Sequence, residues 1–330
     1  MIEDNLSSRL VKGFVFLFLL FSFSTMPNLN AQDRKTVLQL DPGDNNPRNS
    51  EGDFIRLKDG RIMFIYTHFT GKSASDFGSA FLAARYSEDD GQTWTDEDRT
   101  IVPNDGRMNV MSVSLLRLQD GNIALFYARK NGISDCKPLM RISKDEGETW
   151  SAPTSCITDR EGYFVLNNNR VLQLENGRLI MPVALHRTSE GEDFNENGQL
   201  FTYFSDDNGA TWKSGKEVKN QNDIVFQEPG LVALKNGKLM MMIIRTDDGV
   251  QYASYSKNLG KKWTPAKPTT ISSPVSPATI ARIPSTGDLL MVWNNNGVKE
   301  GMYKGKRTPL NIAISKDEGK TWESEKVLED

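Results

Sequence analysis

The stretch SEDDGQTW, residues 87–94, returns along the chain with small changes. Close copies read SKDEGETW (143–150), SDDNGATW (205–212) and SKDEGKTW (315–322), and a weaker copy, SKNLGKKW, occupies 256–263. Successive copies start 51 to 62 residues apart. A period of this length indicates a repeat architecture in which each unit is one supersecondary element.

Each copy has the pattern of a turn between two strands. An Asp carboxylate accepts backbone N–H groups within such a turn, and Gly supplies the positive φ that a tight reversal requires. The Trp at the end of the pattern offers a large apolar surface to a neighbouring unit. Because a binding loop would not require this repetition, we interpret the repeated box as scaffold. Five of the six tryptophans hold this position: Trp94, Trp150, Trp212, Trp263 and Trp322.

A second turn signal precedes each box. Asp-Gly or Asn-Gly joins two apolar runs, as in LKDGRIMFIY (57–66), and this is a strong hairpin signal. Each unit therefore predicts strand, hairpin, strand, loop, strand, box turn and strand, which is one four-stranded antiparallel blade of a β-propeller. We predict an all-β fold of five complete blades with the boxes at their outer edges. Residues 35–40, KTVLQL, are predicted to add a strand at the seam of the ring.

Composition and charge exclude several partners. The 330 residues include 40 Lys and Arg against 43 Asp and Glu, a net charge of −3, and the chain has no long basic run. Nucleic acid is therefore not a predicted partner. With two His, two Cys and no CxxC motif, no metal site is predicted and no cofactor is implied.

The N-terminus has the pattern of a secretory signal peptide. Arg9 and Lys12 precede the apolar run GFVFLFLLFSF (13–23), which is too short to cross a bilayer. A polar stretch follows and ends at Ala31. We therefore expect cleavage after Ala31, export of the protein to the periplasm or the extracellular space, and a mature domain of residues 32–330.

The two cysteines, Cys136 and Cys156, lie on either side of the box at 143–150. If that turn joins antiparallel strands, the two residues can face each other, and an exported protein can oxidise them to a disulfide. Two buried free thiols are the alternative. The sequence leaves both readings open.

Polar residues stand where several predicted inner strands begin. Nine residues before the hairpin glycines of the first, third and fourth units are Glu51, Asn168 and Glu228. Buried strands should be apolar at these entries, and the inner strands of a propeller converge on its central channel. Glu51, Asp53 and Arg170 are therefore secondary candidates for lining a pocket.

Two other apolar runs, 109–118 and 275–283, are interpreted as buried inner strands. The methionine run Met240–Met242 is interpreted as packing rather than as a binding surface.

Asp-boxes between hairpins in an exported chain resemble the sialidase (neuraminidase) superfamily, and the resemblance covers residues 45–330. It implies a six-bladed propeller, of which this chain has five complete blades and an incomplete last one. The family places an arginine before the first inner strand, usually as Arg-Ile-Pro, and Arg48 in NPRNSEGDFIRLKDG stands at that distance with a different sequence after it. The third family arginine matches Arg307 in KRTPLNIAISKDEGKTW.

The resemblance also assigns acidic residues. The family acid/base aspartate lies in the loop before the first box, where this chain has Asp76. A family glutamate followed by a hairpin and an arginine matches Glu228 and Arg245 in QEPGLVALKNGKLMMMIIR. The catalytic candidates are therefore Asp76 and Glu228, and the substrate-binding candidates are Arg48, Arg245 and Arg307.

The family chemistry explains these residue types. Sialic acid carries a carboxylate on its anomeric carbon, and three guanidinium groups bind it with charge-assisted hydrogen bonds. Because that carboxylate would repel a carboxylate nucleophile, the family uses a tyrosine with a nearby Glu as its base. The family tyrosine follows the last box, and the eight residues after Trp322 contain no match to it. We therefore expect this chain to turn over slowly or not at all, and Tyr303 is the first alternative nucleophile.

The resemblance implies an exported exo-glycosidase, most simply a retaining exo-α-sialidase that releases terminal sialic acids from glycans. A propeller hydrolase or lyase that acts on another acidic sugar is a neighbouring alternative. A propeller that binds glycans without catalysis is the third. Sialylated or other acidic glycans are the expected partners in every case.

Overall fold

The structure is a computed structural model, and it describes residues 35–189, 191–235, 237–298 and 304–330. Twenty-one strands and no helix are present among these residues, so the predicted all-β fold is confirmed. It follows that none of the described residues forms a helix able to cross a membrane. The predicted signal peptide, residues 1–31, and Tyr303 lie outside the described residues.

The strands follow the five repeat units. The first unit contains β1 (Asn49–Arg56), β2 (Ile62–Phe69), β3 (Ala80–Ser87) and β4 (Arg99–Val102). The second contains β5 (Asn109–Arg117), β6 (Ile123–Gly132), β7 (Asp135–Ser143) and β8 (Thr154–Ser155). The third contains β9 (Tyr163–Val165), β10 (Leu172–Gln173), β11 (Leu179–Arg187), β12 (Gln199–Ser205) and β13 (Lys213–Ser214). The fourth contains β14 (Phe226–Ala233), β15 (Met240–Thr246), β16 (Val250–Ser256) and β17 (Lys267–Ser272), and the fifth contains β18 (Thr279–Arg282), β19 (Leu289–Asn294), β20 (Leu310–Ser315) and β21 (Glu323–Glu329).

Consecutive strands within a unit are antiparallel neighbours, except for β9 and β10, which both pair with β11. The first, fourth and fifth units each form a four-stranded sheet. The second and third units share one nine-stranded sheet, because β9 pairs with β11 and also, in parallel, with β7 at Tyr163 and Cys136. The inner strand of the third unit is thus divided into β9 and β10. The number of separate blades stays a prediction, since this shared sheet removes one of the expected boundaries.

The repeated box forms the expected turn between the third and fourth strands of a unit. In the second unit, Ser143 Oγ accepts a hydrogen bond from Gly147 N at 2.7 Å, and Asp145 accepts bonds from Thr149 N and Oγ1 at 2.9 and 2.5 Å. These bonds lower the pKa of Asp145 to about 2. The same bonds recur in the boxes at 87–94, 205–212 and 315–322. Local hydrogen bonding therefore fixes each turn within its own eight residues.

Each box after the first also packs on the unit that precedes it. A Cβ atom added to Gly209 would lie 2.2 Å from Met140 Cε, and one added to Gly260 would lie 2.1 Å from Ile180 Cδ1. Both glycines have positive φ, so two separate constraints require glycine there. The box tryptophans Trp150, Trp212, Trp263 and Trp322 pack against the same inter-unit clusters, which confirms their predicted role.

The core consists of apolar clusters between consecutive units. Each sheet thus buries its side chains against the next sheet rather than against a separate layer. The methionine run Met240–Met242 is buried in two of these clusters, so its interpretation as packing is confirmed. Members contributed by successive units are Ile65 with Leu125, Phe126 with Met181, Leu200 with Met242, and Met241 with Met291.

The prediction of a strand at residues 35–40 is wrong. This segment forms no strand, and it contacts the first sheet through a hydrogen bond from Asn49 Nδ2 to Leu40 O at 3.1 Å. Residues 37–41 border a cavity together with Tyr66 and Arg85, which project from the middle of the first sheet. A segment that crosses the face of a sheet cannot form the hydrogen-bond ladder of an added edge strand.

The face of the first sheet turned away from the second unit is aromatic. Phe54 stacks on Phe64 with ring centroids 4.4 Å apart, and Trp94 lies beside both. More than half of Phe54 is exposed, at 56%. This is the surface that an additional unit of a six-bladed ring would cover, and the incomplete last blade stays a prediction.

Gly209→Ala tests the packing of a box on the preceding unit. Its positive φ costs roughly 1–2 kcal/mol for an alanine, and the clash with Met140 adds about 1–3 kcal/mol of overpacking. Gly60→Ala is the matched control, because Gly60 also has positive φ but no atom within 4 Å of an added Cβ. Urea unfolding should place Gly209→Ala clearly below Gly60→Ala in stability. Equal losses would contradict the role of the box in joining units.

Candidate active site

The inner strands of the first, second and fourth units contain a bulge at the same place. The register shifts between Ser50 and Asp53 in β1, and at equivalent positions in β5 and β14. Within the bulges, Glu51, Ser112 and Glu228 adopt left-handed backbone conformations with φ of 53°, 65° and 42°. Such conformations cost roughly 1–3 kcal/mol in a residue with a side chain, and they cluster at functional sites. The repeated fold thus presents a strained polar residue at three equivalent points.

The third unit carries a variant of this feature. Its inner strand is interrupted, and the left-handed residue there is Asn169, with φ of 51°. The predicted residue, Asn168, is its neighbour and donates a hydrogen bond through Nδ2 to Gly52 O at 3.2 Å. The shift of one residue follows from the break between β9 and β10.

Four of the predicted site residues line one cavity of about 470 Å³. They are Glu51, Asp76, Glu228 and Arg245. A volume in this range is typical of small-ligand pockets, for which about 300–1,000 Å³ is usual. The bulges of the first and fourth units therefore open into the same space.

Two arginine–carboxylate contacts organise the cavity. Arg245 Nη1 donates to Glu228 Oε2 at 2.5 Å, with both side chains mostly buried. Arg48 Nη1 donates to Asp76 Oδ1 at 2.5 Å, and Arg48 Nη2 lies 3.5 Å from Glu51 Oε1. One guanidinium thus holds a carboxylate from the bulge of β1 and a carboxylate from the loop between β2 and β3.

Arg307 lies near this group but outside the residues that line the cavity. Its Nη2 donates to Val275 O at 3.1 Å. Partial burial lowers the pKa of Arg307, the charge of Arg245 lowers it further, and Glu228 and Asp76 oppose the shift. Arg307 is therefore close enough to feel the charges of the site, while its convergence with Arg48 and Arg245 on a single carboxylate stays a prediction.

Asp53 and Arg170 do not line the cavity, and their contacts join units. Both carboxylate oxygens of Asp53 accept backbone hydrogen bonds, from Phe54 N at 2.8 Å and Leu115 N at 2.7 Å, and burial raises the pKa of Asp53 to about 7. Burial also disfavours the charged form of Arg170 and lowers its pKa to about 10. Its Nη1 lies 3.4 Å from Thr279 Oγ1. These contacts cross from the first unit to the second and from the third to the fifth. Of the three secondary candidates, Glu51 alone lines the cavity.

Ser112 is a site residue that the sequence reasoning placed in the core. It is buried, as expected for the run 109–118, yet its Oγ donates to Glu51 Oε2 at 2.5 Å. A usable signal was present, because Ser112 stands nine residues before the hairpin Gly121, the spacing that singled out Glu51 and Glu228. The strand predicted at 275–283 is shorter in the structure, where β18 spans Thr279–Arg282.

The cavity is also lined by aromatic residues that were not predicted. Phe77, Tyr163 and Phe194 line it, and His186 stacks on Phe194 with ring centroids 4.8 Å apart. Burial lowers the pKa of His186, whose Nδ1 lies 2.7 Å from Asn195 O. Ring faces of this kind pack well against the apolar face of a sugar.

The two cysteines are free and buried thiols, so the structure supports the second of the two sequence readings. Cys136 lies in the wall of the cavity, and burial raises its pKa to about 12. A thiol with so high a pKa is a weak nucleophile at neutral pH. Among the residues that the structure describes, no group of three or more His, Cys, Asp or Glu side chains is placed to hold a metal ion.

Comparisons with known proteins agree with this fold. Residues 103–330 match the BNR repeat-like domain. A sialidase from Bacteroides fragilis (strain YCH46) is 26% identical over 244 residues, which cover 70% of this chain and 42% of that protein. A sialidase from Clostridium perfringens is 24% identical over 268 residues, or 72% of this chain and 66% of that protein. The matched region is thus less than two thirds of each relative.

Solved structures share the architecture. The Hadza microbial sialidase Hz136 superposes with a TM-score of 0.68 at 18% identity, over 86% of this chain and 59% of that one. A protein of unknown function from Dyadobacter fermentans DSM 18053 gives 0.68 at 19% identity, over 87% and 84%. The fold is that of the sialidase-type β-propellers. The chain belongs to the BNR repeat-like family within the sialidase superfamily.

Glu51→Gln tests the electrostatic strain in the bulge. Burial raises the pKa of Glu51 above 4.5, the hydrogen bond from Ser112 lowers it, and Asp76 raises it. The neutral form is therefore favoured in the folded state, and the stability that it contributes is lost as the pH rises through the folded-state pKa. Gln stays neutral and can still accept the hydrogen bond from Ser112. In urea unfolding, the free energy of unfolding of Glu51→Gln should rise relative to that of the wild type between pH 4.5 and pH 8.

Glu161→Gln is the control for this comparison, because 81% of the Glu161 side chain is exposed. Its difference from the wild type should change little with pH. A Glu51→Gln difference that is equally independent of pH would contradict the assignment.

Proposed function

We propose that this chain is the propeller of an exported exo-glycosidase of the sialidase type, which binds a terminal sialic acid and assists its release from a glycan. One observation carries the proposal. Asp76, Glu228 and Arg245 line a single cavity. Arg48 binds Asp76, and Arg307 is close enough to Arg245 for the two charges to interact. The named relatives add support, since several are sialidases.

The arginines supply recognition of an acidic sugar. Guanidinium groups bind carboxylates with paired, charge-assisted hydrogen bonds. In the structure Arg48 and Arg245 hold the protein's own carboxylates, so an incoming carboxylate would share or replace these contacts. The cavity volume suits one sugar residue with its substituents. This size favours attack on the end of a glycan.

Asp76 is the proposed proton donor to the glycosidic oxygen. It lies on the loop between β2 and β3, and 58% of its side chain is exposed, so a substrate can reach it. A positioned acid of this kind typically accelerates bond cleavage by about 10²–10⁴-fold. Glu228 orients Arg245 and is the proposed partner of a nucleophile.

None of the residues given a role above is proposed as the nucleophile. Tyr163 lines the cavity, but burial raises its pKa, and Cys136, Asp76 and Glu51 raise it further. A phenol in that environment resists ionisation and is poorly suited to attack. This observation favours a second candidate function, in which the propeller binds acidic glycans without cleaving them.

Arg245→Ala tests recognition. Charge-assisted hydrogen bonds contribute roughly 1.5–3 kcal/mol, so binding of N-acetylneuraminate should weaken by about 10- to 150-fold in calorimetry. Arg56→Ala is the control, because Arg56 is exposed and pairs with Asp90 outside the cavity. An unchanged affinity in Arg245→Ala would contradict the proposed site.

Hydrolysis of a fluorogenic sialoside separates the two candidate functions. Turnover that is lost in Arg245→Ala supports the glycosidase. Binding of N-acetylneuraminate without turnover supports the binding propeller. Binding of a uronic acid in its place moves the assignment to another acidic sugar.

Export is proposed from residues 1–31, which carry the signal-peptide pattern. The full chain expressed in a Gram-negative host should reach the periplasm without these residues, and a form beginning at Gln32 should stay in the cytoplasm. Mass spectrometry of the periplasmic form gives the cleavage position. Retention of the full chain in the cytoplasm would contradict export.

A further inference from the structure

The loop that carries Asp76 is fastened through its backbone by side chains of the next unit. The main-chain oxygen of Asp76 accepts two hydrogen bonds, from Asn109 Nδ2 at 2.9 Å and from Lys130 Nζ at 2.8 Å. Asn109 Nδ2 also donates to Gly78 O at 2.7 Å. A carbonyl oxygen has two lone pairs, and both are used here. The loop belongs to the first unit, whereas Asn109 and Lys130 lie on β5 and β6 of the second.

Lys130 has an unusual environment for a lysine. It is 3% exposed, and no carboxylate among the described residues lies within ion-pairing distance of it. Its Nζ lies 3.3 Å from Met111 Sδ, and 5.1 and 5.5 Å from the ring centroids of Phe77 and Tyr163. The aromatic faces stabilise the charge in part. Lysine is almost never buried this deeply without an ion-pair partner, so its position calls for a specific role.

The contact with Asp76 provides that role. The Asp76 side chain projects from an irregular connection, and such segments are more mobile than the strands that they join. Catalytic groups need to be held to within about 0.5 Å of their working position. Lys130 extends from a strand that is paired on both sides, since β6 is bonded to both β5 and β7. Its amino group thereby ties the loop to a rigid support.

The side chain of Asp76 is held by a residue of its own unit. Arg48 donates to its carboxylate and also, at 3.2 Å, to Ala74 O in the same loop. The carboxylate is therefore fixed by the first unit and the backbone by the second. A substrate carboxylate that engages Arg48 would loosen the first of these restraints, and the backbone restraint would remain.

We propose that Lys130, together with Asn109, is a positioning residue that holds the backbone of Asp76 so that its carboxyl group meets the glycosidic oxygen. This inference rests on the proposed glycosidase function for its catalytic consequence. It rests on the contacts alone for its effect on the loop. The two parts have separate tests.

Lys130→Met tests the catalytic part. It removes the hydrogen bond to Asp76 and leaves the apolar contacts of the side chain in place. A misplaced acid matters most when the leaving group is poor, since an aryl leaving group departs with little protonation. We expect kcat/KM to fall by about 10–100-fold on 3′-sialyllactose and only a few-fold on a 4-methylumbelliferyl sialoside, mainly through kcat. Asp76→Asn should show the same pattern more strongly.

Lys137→Met is the matched control. Lys137 lies on the neighbouring strand β7, its side chain is 16% exposed, and it pairs with the exposed Glu161 instead of with the loop. Lys137→Met should leave kcat/KM almost unchanged on both substrates. Equal losses on both substrates in Lys130→Met would indicate general damage and would overturn the proposal. If Lys130→Met does not fold, Asn109→Ala removes the second donor to the same carbonyl and should give the same pattern.

Hydrogen exchange of residues 70–80 tests the loop directly. In the full chain, Lys130→Met should increase exchange in this segment, and Lys137→Met should not. Unchanged exchange overturns the positioning role whatever the enzyme activity. Increased exchange in a protein that hydrolyses neither sialoside would retain the positioning role and reject the proposed glycosidase.

Discussion

The structure depends on one recurring contact, in which the turn of each box after the first packs against the sheet of the preceding unit. Its glycine has to meet two demands at once. The backbone must take a positive φ, and the absent Cβ leaves room for a side chain such as Met140 or Ile180. The adjacent tryptophan covers the same inter-unit cluster. Because each unit repeats this contact, the sheets face one another in series, and the core lies between sheets.

Charged contacts reinforce the same junctions. Glu146, in the box of the second unit, accepts hydrogen bonds from Arg117 and from the backbone of Lys58 in the first. Glu318, in the box of the fifth unit, accepts the equivalent bonds from Arg282 and from the backbone of Lys235 in the fourth. These groups are partly exposed, so each ion pair contributes only modestly to stability.

The serial packing also explains where the candidate site lies. The boxes occupy the connection between the third and fourth strands, which leaves the first strand of each unit at the other side of its sheet. In the first, second and fourth units these strands bulge at equivalent positions and present Glu51, Ser112 and Glu228 in strained conformations. Acidic and basic side chains then meet in one cavity, where burial raises the pKa of Glu51 and a single guanidinium holds both Glu51 and Asp76.

The sequence by itself determined the features that depend on local chemistry. The box and hairpin turns are fixed by hydrogen bonds and glycine conformations within a few residues, so the repeat, the all-β fold and the positions of Glu228 and Arg245 could be read from spacing and family resemblance. Only the tertiary structure decided which groups meet. Ser112 lies in an apolar run and Lys130 near the end of a strand, and they receive their roles from Glu51 and Asp76 in another unit. Residues 37–40 border a cavity on a face of the first sheet, a position that no local pattern encodes. The nine-residue spacing marks Ser112 as a strand entry, but neither stretch of sequence identifies its partner in another unit, because each contact exists only once the sheets have packed.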